Sequence, residues 1–412
     1  MNWKAFNLAA EIFYQKQLMN RSNTIFIILS LVWACGLPLN AQSKKISLTN
    51  LDFTVERADD WTALFKRNDG WFGGDGIYSI PLDGRENIYA GKNSKILFIF
   101  SDSMIGRVTE STMLPGYKMI HNSVAYLDGA KPIADSLHIF WKTNTDQQPE
   151  SIFSPKTQQA ASGDYYWLGD GFVNQELSAL YLFGYRIHNF STDAFGFKEV
   201  GNTIIKVNTK NDLPNAVQQQ FDTPFYIDDH GNIASFGAGI YVDTKKAVAT
   251  APDGFVYVYG VKGLDKQLLV ARVKPKDFEK FAQWRFWDGN DWVGKMSSAI
   301  AVTDNVSNEL SLSQLPDGRY ALVFQIGGMT DIVGMRIGTS PFGPFGPIIK
   351  LWDCKPDLQG KTYVVYNAKA HPSLSAPGEL LISYNINSID FIKDLKQNPH
   401  LYRPRFIRVR FK

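Results

Sequence analysis

Past position 50, apolar residues come in short bursts, each opening after a small or polar residue and closing in a turn. IYSIPL turns through DGRENIYAGKNS into KILFIF, and FVNQELSALYLFGYRIHN holds a further pair that leads to NTIIKV. GAGIYVDT passes through APDG into FVYVYGV, then QLLVARV and WRFWDG. ELSLSQL turns through PDG into RYALVFQ, IVGMRIG and IIKLWD, while AHPSLS turns through APG into ELLISYNI before RFIRVRF. No helical period of useful length interrupts this, so many short strands joined by Gly, Pro and Asp turns predict an all-β chain. Units that start near Gly76, Gly171, Gly237, Glu309 and Ala370 each open with a hairpin, which favours a five-bladed β-propeller over a sandwich. Their spacing of roughly 60–95 residues exceeds the common propeller repeats, and WD40, kelch and Asp-box signatures are missing. HNSVAYLDG and SLHIFWKT serve as outer strands of the long first unit, 142–164 as a polar loop, and WRFWDGNDW as an outer-strand feature.

The first 41 residues read differently. TIFIILSLVWACGLPL follows Arg21 and precedes Asn40 and Ala41, the pattern of a signal peptide cleaved after Ala41, with Met19 a second candidate start. The run is short for a membrane span, and Trp33 makes LVWAC a poor acylation box for Cys35. The expected organisation is a signal peptide over 1–41, a lead-in over 42–64 and a propeller over 65–412, exported to the periplasm, cell surface or medium. Cleavage removes Lys4, Lys16, Arg21 and Glu11 and leaves 40 basic and 39 acidic residues. That balance points to neither nucleic acid nor an anionic membrane. Only Cys354 remains, which excludes an intrachain disulfide or a cysteine metal site.

Chemistry concentrates at GWFGGDGIYSIPL (70–82), where Asp75 lies among glycines just before a strand. Strands over 77–82 and 96–101 pair antiparallel, so Asp75 before the first and Asp102 after the second return to one open end. Neighbouring strands lie ~4.8 Å apart, which puts the two acids within roughly a nanometre. Paired carboxylates at that range suit glycosidic-bond cleavage, one as acid and one acting on the opposite face. Asp-Gly is also an ordinary turn. Asp170 and Glu309 hold matching places in the second and fourth units and are candidates for a third acid, with His371 near that place in the fifth. A histidine held in the core is the plainer reading of His371. His121, Asn122, Asn385 and Asn387 are candidates to bind hydroxyls, and Trp71, Phe72, Tyr166 and Trp167 to stack on sugars. The glycines around Asp75 are expected to let a sugar approach the backbone. GGDG and SFGAG precede no helix, and HExxH, calcium-loop and GxSxG patterns are missing, which argues against dinucleotide, zinc-protease and serine-hydrolase chemistry.

GGDGIYSIPLDG, LFIFSDSMIG, IHNS, YNAKAHPSLS, LLISYNIN and YRPRFIRV, in this order, resemble a group of bacterial domains of unknown function. One branch of that group comprises endo-D-arabinofuranases, five-bladed propeller glycoside hydrolases that cut D-arabinan. The resemblance spans most of 65–412 and implies Asp75 and Asp102 as the catalytic pair. Two departures, Ser101-Asp102-Ser103 in place of Gly-Asp-Thr and a longer turn from Asp83 to Lys95, place the chain in a neighbouring branch. The expected ligand is a poly- or oligosaccharide and no cofactor is required; a structural cation in the central channel near His371 is suggested only by analogy with arabinanase-type propellers. The competing readings are a non-catalytic glycan-binding propeller of an uptake system and a structural interaction propeller with a flat mouth.

Overall fold

The computed structural model describes residues 47–192, 196–208, 213, 215–358 and 363–412. The expected signal peptide lies outside the described residues. Among the described residues, five antiparallel sheets of four or more strands follow one another along the chain. The first contains Tyr78–Pro81, Lys95–Phe100, Ser123–Asp128 and Leu137–Phe140. The second contains Tyr165–Asn174, Ala179–Asn189, Phe197–Asn208 and Gln218–Asp222. The third is built on Asn232–Asp243, Phe255–Lys262, Gln267–Val273 and Arg285–Trp287, with Tyr226–Asp229 and Trp292–Val293 at its two edges. Leu310–Gln314, Tyr320–Gln325, Ile332–Gly338 and Ile349–Asp353 make the fourth. The fifth joins Tyr363–Ala370, Glu379–Ser388 and Pro404–Phe411 to Phe53–Arg57.

Alternation along each strand sends side chains to two different cores, which is why the strands read as unbroken apolar runs. In KILFIF, Ile96, Phe98 and Phe100 pack with Leu381 and Phe406 of the fifth sheet. Leu97 and Ile99 pack the other way, with Tyr166, Leu168 and Leu182 of the second sheet. Three more cores lie between the second and third, third and fourth, and fourth and fifth sheets. With both faces of every sheet buried, no strand needs a polar stripe.

The innermost strands touch round a ring. The Tyr78 hydroxyl donates to the Ala238 carbonyl (2.9 Å), and Ile240 N–H donates to Asp170 Oδ2 (2.7 Å). Ala370 N–H donates to Ser311 Oγ (2.7 Å), and His371 Nδ1 meets Ser79 Oγ (2.9 Å). The last sheet is completed by the start of the chain, Phe53 pairing with Phe411 and Arg57 with Ile407. Within the expected 42–64 lead-in, residues 53–64 are therefore part of the fold, because strand Phe53–Arg57 covers the edge of strand Pro404–Phe411. It continues into helix Asp59–Leu64, whose Trp61 packs on Phe406. The other α-helices among the described residues, Lys355–Leu358 and Phe391–Gln397, are equally short. No helix there is long and apolar enough to cross a membrane.

The unit starts read from the sequence need correcting in three sheets. The innermost strand of the second starts at Tyr165, of the third at Asn232 and of the fifth at Tyr363, not at Gly171, Gly237 and Ala370. In each case a β-bulge interrupts the innermost strand, at Leu168/Gly171, Phe236/Gly239 and Tyr366/Lys369. An extra residue breaks the alternation locally, and the break looks like a strand boundary. His371 consequently follows its strand instead of preceding it.

Phe65 lies fully buried where the first and fifth sheets meet, within 5.5–6.2 Å of Trp71, Phe98, Phe100 and Phe406 ring centroids. Phe65→Ala should lower unfolding stability by about 3–5 kcal/mol. Arg410→Ala, which removes half-exposed ion pairs to Glu56 and Glu379, should stay within ~1 kcal/mol in the same urea titration.

Candidate active site

The two acids of the first hairpin sit on adjacent, hydrogen-bonded backbone. Ser101 N–H donates to the Asp75 carbonyl (2.8 Å), and Asp75 N–H donates to the Asp102 carbonyl (3.2 Å). The glycines around Asp75 serve this close packing, and the expectation that they clear room for a sugar is corrected. A Cβ on Gly73 would sit 2.2 Å from the Tyr402 carbonyl oxygen, and Gly74 N–H donates to that same carbonyl (2.8 Å). Gly76 has φ +60°, and a Cβ there would meet Ser101 Oγ at 2.6 Å. The serines flanking Asp102 lock the turn from the other side. Ser101 Oγ accepts from Leu168 N–H of the second sheet (2.9 Å), and Ser103 Oγ is bonded to Ser123 Oγ (2.7 Å).

From this shared base the two carboxyls take different partners. Tyr366 of the fifth sheet donates its hydroxyl to Asp75 Oδ2 (2.7 Å) and itself receives a hydrogen bond from Asn387 Nδ2 (3.3 Å). The Tyr402 hydroxyl also bonds Asp75. Burial and the negative charge of Asp102 push the Asp75 carboxyl up to about 8, against the opposing pull of the Tyr366 hydrogen bond. Asp102 Oδ1 meets His121 Nδ1 at 2.9 Å, and the His121 ring stacks on Tyr165 at 3.7 Å. One acid is thus dressed by phenol donors of the fifth sheet, the other by an imidazole on the side of the second.

Glu309 lies next to this pair and adds to the charge that raises Asp75. It accepts from Asn367 Nδ2 (2.7 Å) and forms an ion pair with Lys369, which is fully buried and lies over the Tyr78 ring. Burial raises the Glu309 carboxyl while Lys369 opposes the shift. Asn367 has φ +61° within the bulge, which turns Tyr366 towards Asp75 and Asn367 towards Glu309. Asp170 is set apart. Its two oxygens accept from Gly171 N–H (2.8 Å) and Ile240 N–H (2.7 Å), and burial pushes it up to about 7. It lines an inner cavity of about 40 Å3 with Tyr78, Glu86, Ser311 and Pro372, and neither Asp75 nor Asp102 borders that space.

Several residues expected to face a sugar are core groups. Trp71, 1% exposed, packs on Phe65 and Phe100, and Phe72 and Tyr166 are fully buried. Asn122, fully buried, brackets Phe153 by donating to its carbonyl (2.8 Å) and accepting from its N–H (2.8 Å). Asn385, also buried, donates to the Gly74 carbonyl (3.2 Å) and so steadies the residue before Asp75. His371 is 1% exposed, bonded through Nδ1 to Ser79 and through Nε2 to Ser383 (2.8 Å), and burial pushes it down to about 3. Both ring nitrogens are engaged by serine hydroxyls, and among the described residues no group of three His, Cys, Asp or Glu side chains is placed to hold a metal ion. Trp167 and His121 remain partly exposed at the same end of the ring as the acids. Tyr366, Tyr402, Asn367 and Lys369 escaped the sequence reading. Lys369 and Asn367 lie inside the NAKAHPSLS segment, but nothing in one sequence sets a tyrosine at the end of an alternating run apart from core material.

Residues 58–411 match the family described as Domain of unknown function (DUF5005). No curated protein matches the chain. A provisionally assigned hydrolase from Bacteroides ovatus has the same fold, with TM-score 0.65 and 20% identity over 86% of this chain and 90% of that one. An exo-beta-1,3-galactanase from Phanerochaete chrysosporium aligns with TM-score 0.43 and 10% identity, over 82% of this chain and 64% of its own. A levansucrase from Bacillus subtilis aligns with TM-score 0.39 and 12% identity, over 82% and 85%. At that similarity the last two settle nothing about the chemistry here. The match across 58–411 establishes that the chain belongs to the DUF5005 family.

Proposed function

We propose that this chain is an exported five-bladed propeller that hydrolyses a glycosidic bond in a polysaccharide, with arabinofuranose-containing glycans such as D-arabinan as the substrate class. The carrying observation is the pair of acids on two adjoining, hydrogen-bonded backbone segments, each with a different set of partners. The five successive sheets and the ring of innermost strands support the blade count. The apolar run 24–39 after Arg21 supports export. The substrate class rests on the resemblance carried by GGDGIYSIPLDG and YNAKAHPSLS.

In this reading Asp75 is the general acid. Held neutral near pH 7, its carboxyl protonates the leaving oxygen as the glycosidic bond breaks. The Tyr366 hydroxyl then stabilises the carboxylate that remains, through a charge-assisted hydrogen bond. Asp102, oriented by His121, acts at the anomeric carbon from the other flank, where water supplies the oxygen that replaces the leaving group. An acid held protonated beside a second carboxyl is how one site performs both acid and base work. Glu309, paired with Lys369, adds a smaller negative contribution that helps to keep the Asp75 proton in place.

Asp75→Asn and Asp102→Asn should each lower turnover on a susceptible arabinan by roughly 10²–10⁴-fold, measured as reducing ends released, with unchanged circular dichroism. Binding without turnover by the wild type across a panel of arabinans and related glycans would instead support a glycan-binding propeller. The kcat/KM profile of the wild type should fall as pH rises through about 8, where Asp75 loses its proton. A flat profile across that range would remove Asp75 from the acid role.

Stability should carry the same signature. Between the ordinary carboxyl range and about 8, the folded chain holds a proton that the unfolded chain has released, so folding weakens as pH rises through that window. Asp75→Asn removes this penalty. Its melting temperature should gain on the wild type steadily from about pH 4 to about pH 9.

A further inference from the structure

Beside Asp102 the rings form an unbroken run. His121, bonded to the acid, stacks on Tyr165 at 3.7 Å, Tyr165 meets Trp167 at 6.1 Å, and Trp167 meets Phe197 at 4.7 Å. Tyr165 and Trp167 stand two apart on strand Tyr165–Asn174 and so share a face, as Phe197 and Glu199 do on strand Phe197–Asn208. All four rings are partly exposed. Polar groups follow at the far end: Ser235 donates to Glu199 Oε1 (2.5 Å), and the Tyr226 hydroxyl donates to the Glu199 carbonyl (2.6 Å). The other flank differs, because Tyr366 and Tyr402 direct their hydroxyls at Asp75 itself.

We infer that Tyr165, Trp167 and Phe197 form a ledge that binds successive sugar units on the Asp102 side of the cleaved bond, so that the chain recognises polymers and holds short oligosaccharides weakly. This rests on the glycosidase reading and adds a direction to it. Aromatic faces pack against the C–H surfaces of sugar rings, and a row of them leading away from one acid favours a chain lying along the second sheet. Hydroxyls of the outermost unit would meet Glu199 and Tyr226.

Affinity electrophoresis through gels holding D-arabinan or β-1,3-galactan separates the two readings, with Asp75→Asn as the inert parent. The parent should be slowed by one of these polysaccharides. Adding Trp167→Ala should weaken that retention roughly five- to tenfold, and Trp167→Phe in its place should restore most of it. Phe197→Ala, at the far end of the run, gives an independent arm should Trp167→Ala melt early by circular dichroism. Retention unchanged by both alanine variants overturns the ledge and leaves the glycosidase reading standing. A parent slowed by neither polysaccharide overturns the glycan reading and the ledge with it.

Discussion

Two backbone hydrogen bonds, Ser101 to Asp75 and Asp75 to Asp102, hold the acids of the first hairpin side by side on two adjoining strand junctions. The surrounding structure maintains that arrangement. Gly73 and Gly76 let the chain pass against Tyr402 and Ser101 at distances that any side chain would forbid. Asn385 anchors the Gly74 carbonyl, and Ser101 and Ser103 tie the Asp102 side to the second and first sheets. Strands from three sheets thus fix the two paired segments, and the fifth of the sheets is closed by the residues at 53–57. A site assembled this way depends on closure of the whole ring, which links the packing around Phe65 and Phe406 to the chemistry at the mouth.

Charge at the mouth is arranged as carefully as shape. A buried carboxyl beside another negative group takes up a proton unless something compensates it. Glu309 receives that compensation from Lys369 and Asn367, and Asp170 receives it in part from two backbone N–H groups. Asp75 has phenol donors only and carries the larger shift. Of the acid pair, it is therefore Asp75 that is held towards its protonated form. Tyr366 has two effects here, since it orients Asp75 and favours its ionised form against the pull of burial.

Much of this was legible from the residues. The first hairpin was placed within a residue of its observed ends, and the convergence of Asp75 and Asp102 followed from antiparallel pairing alone. What escaped the reading has physical causes. Bulges at Asp170, Gly237 and Asn367 broke the alternation inside innermost strands and imitated strand starts, which moved His371 to the wrong end of its strand. Trp71, Asn122 and Asn385 looked like ligand groups because tryptophan and asparagine serve equally well as packing and as backbone brackets, and only burial separates these uses. The glycines of GGDG were rightly marked as special, but the close approach they permit is from the protein's own backbone. The closing strand at 53–57 went unseen because its pairing partner lies at the opposite end of the sequence.

The account turns on Asp75 being a neutral carboxylic acid near pH 7, and difference infrared spectroscopy between the wild type and Asp75→Asn reads that state directly. A protonated-carboxyl band that is present at neutral pH, absent from the variant and lost on titration through about 8 is the predicted result. A difference spectrum showing only ionised carboxylate at neutral pH would contradict it.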